Sequence, residues 1–168
     1  PIKELAKVAH EFGALLVCDG AQSVPHMKID VQDLDVDFLS FSGHKLCGPT
    51  GIGVLYGKFD LLCKMEPFMT GGGMNAKFDM CGDAQYLEPP LRFEAGTQNI
   101  EGIFGLNAAI RYLMGIGMDN INAYEESLKK YAIQELEKTG NAILYNPKSE
   151  AGIVTFNIKD VFAQDAAT

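Results

Sequence analysis

Two apolar runs end in residues equipped for chemistry. "ALLVCDG" (14 to 20) closes on Asp19, and "VDFLSFSGHK" (36 to 45) closes on Ser42, Gly43, His44 and Lys45. Singly, each is ordinary: Asp-Gly and Ser-Gly mark turns, and a lysine after a strand is usually solvated. Together they are more pointed, because ligands of open α/β sheets bind beyond the carboxyl ends of the strands. A carboxylate at one strand end, with an amine, an imidazole and a hydroxyl at another, suits a ligand that carries both an anionic group and a basic ring nitrogen.

Pyridoxal 5'-phosphate (PLP) is such a ligand. It needs a lysine amine to form an imine, a carboxylate to keep its pyridine nitrogen protonated, and donors for its phosphate. Lys45 can supply the amine, whose neutral form is the nucleophile. Asp19 can face the ring nitrogen. Gln22, three residues after Asp19, is placed to donate its amide to the phenolic oxygen, and Ser42 and His44 to bind phosphate oxygens. Gly48, Gly51 and Gly53 let the chain bend away beyond the lysine.

The elements that must position these groups follow from periodicity. "PIKELAKVAHEFG" places Ile2, Leu5, Val8, Ala9 and Phe12 near a helical period before Gly13, a C-terminal stop. Residues 14–20, 36–43 and 52–58 read as short buried strands, so the fold expected is α/β with a mainly parallel sheet and flanking helices. The third strand should pair antiparallel with the second, since the link from Lys45 to Gly51 is too short for a helical crossover. The stretch 64–98, with "TGGGMNA" and "LEPPLRFEAGT", reads as a long loop, and "GGG" as its flexible part near a dimer or active-site entrance. Helices are expected over about 99–116 and 119–139, then strands at "AILYN" and "GIVTFNI", and a helix start near Gln164 or Asp165. Glu125, Glu126, Lys129 and Lys130 have the spacing of a solvated helix face. Arg92 and Glu94 suggest a structural ion pair. We expect a large domain over 1–140 and the start of a smaller one over 141–168. Both ends suggest an interior piece of a longer chain.

Composition limits the function classes. The 168 residues are 47% hydrophobic, enough for a sizeable core. A formal charge of -8 argues against sequence-independent attraction to nucleic acid or an anionic membrane surface. No apolar segment has the roughly twenty residues that span a bilayer. Cys18, Cys47, Cys63 and Cys81 are widely spaced without a C-x-x-C pair, which fits a reducing, cytoplasmic compartment. Cys47 reads as a buried small hydrophobe. His10 and His26 lack partners at metal-ligand spacing, so no metal site is expected.

"VCDGAQSVPHMKIDVQDLDVDFLSFSGHKLCGPTGIGVLYGK", with "GGG" at 71–73 and "RFEAGTQN" at 92–99, resembles the class V aminotransferase family, and within it the cysteine desulfurases that serve iron-sulfur cluster assembly. The resemblance implies the central part of a fold-type-I PLP-dependent transferase. By position, Lys45 resembles the Schiff-base lysine, Asp19 the pyridine partner and Gln22 the contact to the phenolic oxygen. Ser42 and His44 match phosphate ligands, and Ala21 would lie against the ring face. Thr97 resembles a threonine that reaches the phosphate of the other subunit's cofactor in a homodimer. The implied reaction converts L-cysteine to L-alanine through an enzyme persulfide passed to an acceptor protein. The family's nucleophilic cysteine and substrate-binding arginine would lie beyond Thr168, and a ring that stacks on the cofactor before Pro1, so residues 1–168 alone are expected to be inactive. Gln98 stands where relatives commonly have proline. A selenocysteine lyase, or another class V enzyme, shares these cofactor residues. A structural or binding module without catalysis is the alternative of a different class.

Overall fold

Helix α1 (Ile2–Glu11) starts behind Pro1, whose carbonyl accepts the Leu5 N–H at 3.1 Å, and stops where Gly13 takes a φ of 68°. That left-handed backbone favours glycine, so the sequence stop is a conformational one. The computed structural model describes residues 1–78, 84–149 and 151–168. After β1 (Val17–Asp19) the chain turns through residues 21–27 and enters α2 (Val31–Leu34). Asp30 caps this short helix, its carboxylate accepting the N–H groups of Gln32 and Asp33. Then come β2 (Phe38–Ser42), a single 3-10 turn (Gly43–Lys45), β3 (Gly53–Gly57) and α3 (Phe59–Leu62).

These strands form one sheet in the order β1-β2-β3. β1 and β2 are parallel, with Asp19 opposite Ser40, whereas β2 and β3 are antiparallel, with Ser42 opposite Gly53. The antiparallel partner expected from the short link is therefore present. Each strand is shorter than its apolar run. In the first run the ladder begins at the pair Val17 and Phe38, where the Phe38 N–H donates to the Leu16 carbonyl at 3.1 Å.

A buried carboxylate fixes the way into β2. Asp37 is 3% exposed and accepts from the Leu16 N–H at 2.7 Å, from His10 at 2.8 Å and from Lys58 at 2.9 Å. Burial alone would raise its carboxyl. The N–H of Leu16, the His10 ring and the Lys58 ammonium outweigh burial and hold it at about 2. The cluster joins α1, the end of β3 and the start of β2.

The stretch expected as loop contains structure. β4 (Asn75–Phe78) and β5 (Ala84–Tyr86) pair antiparallel, followed by a 3-10 turn at Leu91–Phe93; the part of that loop at 79–83, with Cys81, lies outside the described residues. The strands, of four and three residues, are too short to show an alternating pattern. Arg92 corrects a second expectation: its guanidinium donates to the carbonyl oxygens of Leu87 and Cys63, at 3.1 and 2.8 Å, and among the described residues no ion pair joins it to Glu94.

Helices α4 (Ile100–Ile116) and α5 (Met118–Lys138) are separated by Gly117 at φ 91°, and both fall where the periodicity places them. β6 (Ala142–Leu144) and β7 (Phe156–Ile158) pair antiparallel, and α6 (Ala163–Ala167) follows. Phe162, not Gln164 or Asp165, occupies the cap position of α6. On α5 only half of the expected solvated face is solvated. Glu126 and Lys130 pair at 2.8 Å in the open, but Lys129 is buried, its ammonium donating to Ser149 and Ala151.

The chain divides into two compact units, one of Pro1–Ala21 with Asp30–Arg111, the other of Gln22–Ile29 with Tyr112–Thr168. The core of the first includes Ala6, Val36, Phe38, Leu39, Leu46, Met74, Leu106 and Ala109. No described helix is long and apolar enough to cross a membrane.

Candidate active site

Because β1 and β2 are parallel, their carboxyl ends lie at one edge of the sheet. Asp19 ends β1 opposite Ser40, and Ser42 lies two residues further along β2, about 7 Å in strand rise. The ladder continues one step past β1, where the Gly20 N–H donates to the Ser40 carbonyl at 2.8 Å. The chain then turns, and the Ala21 N–H donates to Asp19 Oδ1 at 2.9 Å. This local turn holds the carboxylate at the strand end.

Ser42 leads directly into the 3-10 turn that carries His44 and Lys45, both exposed. Among the described residues neither Lys45 Nζ nor the His44 ring has a hydrogen-bond or ion-pair partner. Close packing produces the turn. The Gly43 N–H donates to the Ile52 carbonyl at 2.8 Å, and the Gly43 carbonyl accepts from Leu46 and Gly48 at 2.9 and 3.0 Å. A Cβ on Gly43 would meet Ile52 Cγ2 at 2.7 Å, so only glycine fits between Ser42 and His44. Leu46 is buried behind the turn, which leaves His44 and Lys45 on the open side.

Helix α4 backs the segment after the lysine. Gly105 lies against the Pro49 ring, and the Leu106 side chain lies beside Gly48. Asn99, at the start of α4, donates to the Gly51 carbonyl at 3.2 Å and accepts the Gly102 N–H at 2.9 Å. Sequence reasoning passed over Asn99, although asparagine just before an apolar-periodic run is a recognisable cap signal.

Thr97 is exposed in the bend between the Leu91–Phe93 turn and α4. Its neighbour Gly96 donates its N–H to the Gly72 carbonyl at 2.9 Å, so the triple glycine packs against "EAGT" backbone to backbone. A Cβ on Gly71 would meet the Gly96 nitrogen at 2.9 Å. The structure thus brings Asp19, Ala21, Ser42, His44, Lys45 and Thr97 into the first unit. Gln22 opens the segment grouped with the second unit and is exposed.

Among the described residues no disulfide joins the cysteines. Cys18, Cys47 and Cys63 are free thiols, and burial pushes the Cys18 thiol up. Cys47 is exposed and held at φ 57°, not buried as its small size suggested. The tight turn after Lys45 directs the Leu46 side chain inward and leaves Cys47 outward. No group of three or more His, Cys, Asp or Glu among the described residues has a metal-binding arrangement.

A parallel strand pair that ends in Asp on one strand and Ser-Gly-His-Lys on the next defines an α/β protein with a cofactor-type site at the carboxyl edge of its sheet. The chain belongs to the family Aminotransferase class-V, whose sequence profile matches residues 1–168. It is 52% identical over 170 residues to a protein of Halalkalibacterium halodurans named "Probable cysteine desulfurase", covering all of this chain and 41% of that one. The apo structure of a cysteine desulfurase from Thermococcus onnurineus NA1 superposes with a TM-score of 0.91 at 42% identity, over 99% of this chain and 42% of that one. A lysine-to-alanine variant of C-DES, with glycine covalently linked to its PLP cofactor, superposes with a TM-score of 0.82 at 25% identity, over 95% of this chain and 43% of that one. The chain therefore has the fold of PLP-dependent desulfurases and spans about two-fifths of the length of the relatives it matches.

Proposed function

We propose that the whole protein is a PLP-dependent cysteine desulfurase that converts L-cysteine to L-alanine and passes sulfur, through an enzyme persulfide, toward iron-sulfur clusters. The observation that carries this reading is the placement of Asp19 and the Ser42–Lys45 turn at one sheet edge, in a family whose relatives carry that name. The donor set fits the cofactor: a carboxylate pinned by the Ala21 N–H, and an imidazole and a primary amine unclaimed by other described side chains. PLP, when bound, supplies an electron sink that stabilises charge on the substrate carbon.

The chain's own residues do the rest. Lys45 would hold the cofactor aldehyde through its amine and move a proton at that amine. Asp19 keeps the ring nitrogen protonated by placing a negative charge against it. Ser42 and His44 would donate to the phosphate, Ala21 would lie against the ring face, and Gln22 would donate to the phenolic oxygen. The nucleophilic thiol and the arginine for the substrate carboxylate belong to other parts of the whole protein.

A homodimer with Thr97 reaching the neighbouring site is part of this proposal. It is supported by Ile100, Ile103 and Phe104, large apolar side chains 48–71% exposed just after Thr97. A sulfur-acceptor protein follows from the persulfide chemistry. A cytoplasmic setting is supported by the free thiols of Cys18, Cys47 and Cys63. The division into a cofactor domain over 1–140 and a C-terminal domain from 141 is part of this proposal, with a boundary later than that between the compact units at Arg111 and Tyr112. The test uses the full-length protein. It should take up PLP with a visible absorption band and release alanine from L-cysteine, and Lys45→Ala should abolish both. Full-length protein that binds no PLP would overturn the reading.

A further inference from the structure

Thr97 lies in a bend that is held on both sides of it and not at Thr97 itself. On the amino side, Gly96 keeps a φ of 75° and donates its N–H to the Gly72 carbonyl at 2.9 Å. On the carboxyl side, Asn99 donates to the Gly51 carbonyl at 3.2 Å. Between them the Gln98 side-chain amide turns back and donates to the Gly96 carbonyl at 3.1 Å, so a single bond closes across Thr97. Thr97 is exposed, and among the described residues its hydroxyl has no hydrogen-bond partner. All of these residues belong to the first unit.

The Gly72 carbonyl reaches Gly96 only because Gly71, one residue before it, has no side chain. A Cβ on Gly71 would lie 2.9 Å from the Gly96 nitrogen, 3.2 Å from the Ala95 carbonyl carbon and 3.3 Å from Ala95 Cβ. Two of those three atoms are backbone and cannot rotate away. Gly71 has little room to retreat, since its N–H donates to Met74 Sδ at 3.1 Å. Met74 is fully buried, and its carbonyl accepts the Leu87 N–H at 2.8 Å. The backbone of Gly71 is not left-handed, so close approach, and not conformational freedom, requires glycine there. Gly72 is the contrast: its φ is not left-handed either, and a Cβ on it would meet nothing within 4 Å.

We propose that Gly71 and Gln98 are positioning residues for the backbone at Thr97. Gly71 sets how near the bend lies to the triple glycine, and Gln98 sets how tightly the bend closes. This rests on the reading that Thr97 reaches the cofactor phosphate of the neighbouring subunit. A hydroxyl that must meet a phosphate oxygen across a subunit boundary gains from a backbone that stays in place, because a hydrogen bond weakens steeply as its distance and angle depart from the optimum. Neither Gly71 nor Gln98 belongs to the set assigned to the cofactor.

The test uses the full-length protein and compares its affinity for PLP with its affinity for pyridoxal, which has the same aldehyde and ring but no phosphate. Thr97→Val removes the hydroxyl and should weaken PLP about tenfold, the worth of a hydrogen bond to a charged group, with pyridoxal unchanged. Gly71→Ala and Gln98→Leu should each weaken PLP and spare pyridoxal. Neither should add to the loss in a double variant with Thr97→Val. Gly72→Ala should bind both as wild type does. General damage to the fold would weaken the two forms alike, so the contrast separates positioning from damage. Gln98→Leu removes one side-chain amide without crowding the backbone and keeps the test decisive if Gly71→Ala does not fold. Wild-type PLP affinity in either variant, equal losses for PLP and pyridoxal, or losses that add to that of Thr97→Val would overturn the proposal. The readings beneath it are judged separately: the role of Thr97 falls if Thr97→Val keeps wild-type PLP affinity, and the cofactor reading falls if Lys45→Ala retains the visible absorption band.

Discussion

The side-chain amide of Asn99 donates to the carbonyl oxygen of Gly51 at 3.2 Å, joining the start of α4 to the turn that follows Lys45. The same side chain accepts the Gly102 N–H, so it caps the helix while it holds the turn. Asn99→Ala removes both bonds and should destabilise the full-length protein by about 1–2 kcal/mol in denaturant unfolding. Asn99→Asp keeps the cap and loses the donor. It should retain most of the stability and still loosen the Gly51 turn, seen as faster amide exchange from Pro49 to Gly53.

Gly105 invites a substitution that helix propensity would favour. Alanine in place of glycine inside a helix ordinarily gains about 0.5–1 kcal/mol. Here the added Cβ would lie 2.8 Å from Pro49 Cγ and 3.1 Å from its Cδ, and a proline ring has little room to yield. Gly105→Ala should therefore lose about 1–2 kcal/mol of stability and weaken PLP retention, because helix and post-lysine turn must move apart. Gly115→Ala, where a Cβ would meet nothing within 4 Å, is the control that should show the propensity gain.

How much of this was legible in the sequence differs by element. Asp19, Ser42, His44 and Lys45 could be placed at strand ends because a buried strand is a continuous apolar run, and its end is where the run stops. The antiparallel β3 followed from the length of one link. The β4–β5 pair was not legible, since strands of three and four residues beside a triple glycine carry no measurable period. Lys129 and Glu125 were misread for a related reason: charge spacing along α5 shows which residues share a face, not which of them Ser149, Ala151 and His26 will cover. Asn99 was readable as a cap, but its bond to Gly51 spans 48 residues and no local pattern encodes it.

Asp37 makes stability depend on acid. Its folded carboxyl sits at about 2, below the ordinary carboxylate value of 3.8. A depressed value means that the charged form is favoured by folding, so the stabilisation is fully present above about pH 4 and is lost as the pH falls toward 2. The difference corresponds to about 2 kcal/mol. Asp37→Asn should remove this contribution in one step, lower the melting temperature at pH 7, and flatten the fall in stability between pH 4 and pH 2. An unchanged acid profile in Asp37→Asn would assign the acid sensitivity elsewhere.

Lys129 offers a comparable test in the second unit. Its ammonium is buried and donates to the Ser149 hydroxyl at 2.7 Å, the Ala151 carbonyl at 2.8 Å and the Ser149 carbonyl. Three donors meet three acceptors, which offsets the desolvation of a lysine that is only 7% exposed. Lys129→Met preserves most of the side-chain length and apolar stem but leaves those acceptors without their donor, an expected loss of about 2–3 kcal/mol. The loss should be local. Amide exchange should accelerate in β6 and β7, between which Ser149 and Ala151 lie in sequence, and remain slow in β1 and β2, where none of the Lys129 bonds reaches. Uniform acceleration across both sheets would instead show that the two units unfold together and that Lys129 contributes to a single cooperative structure.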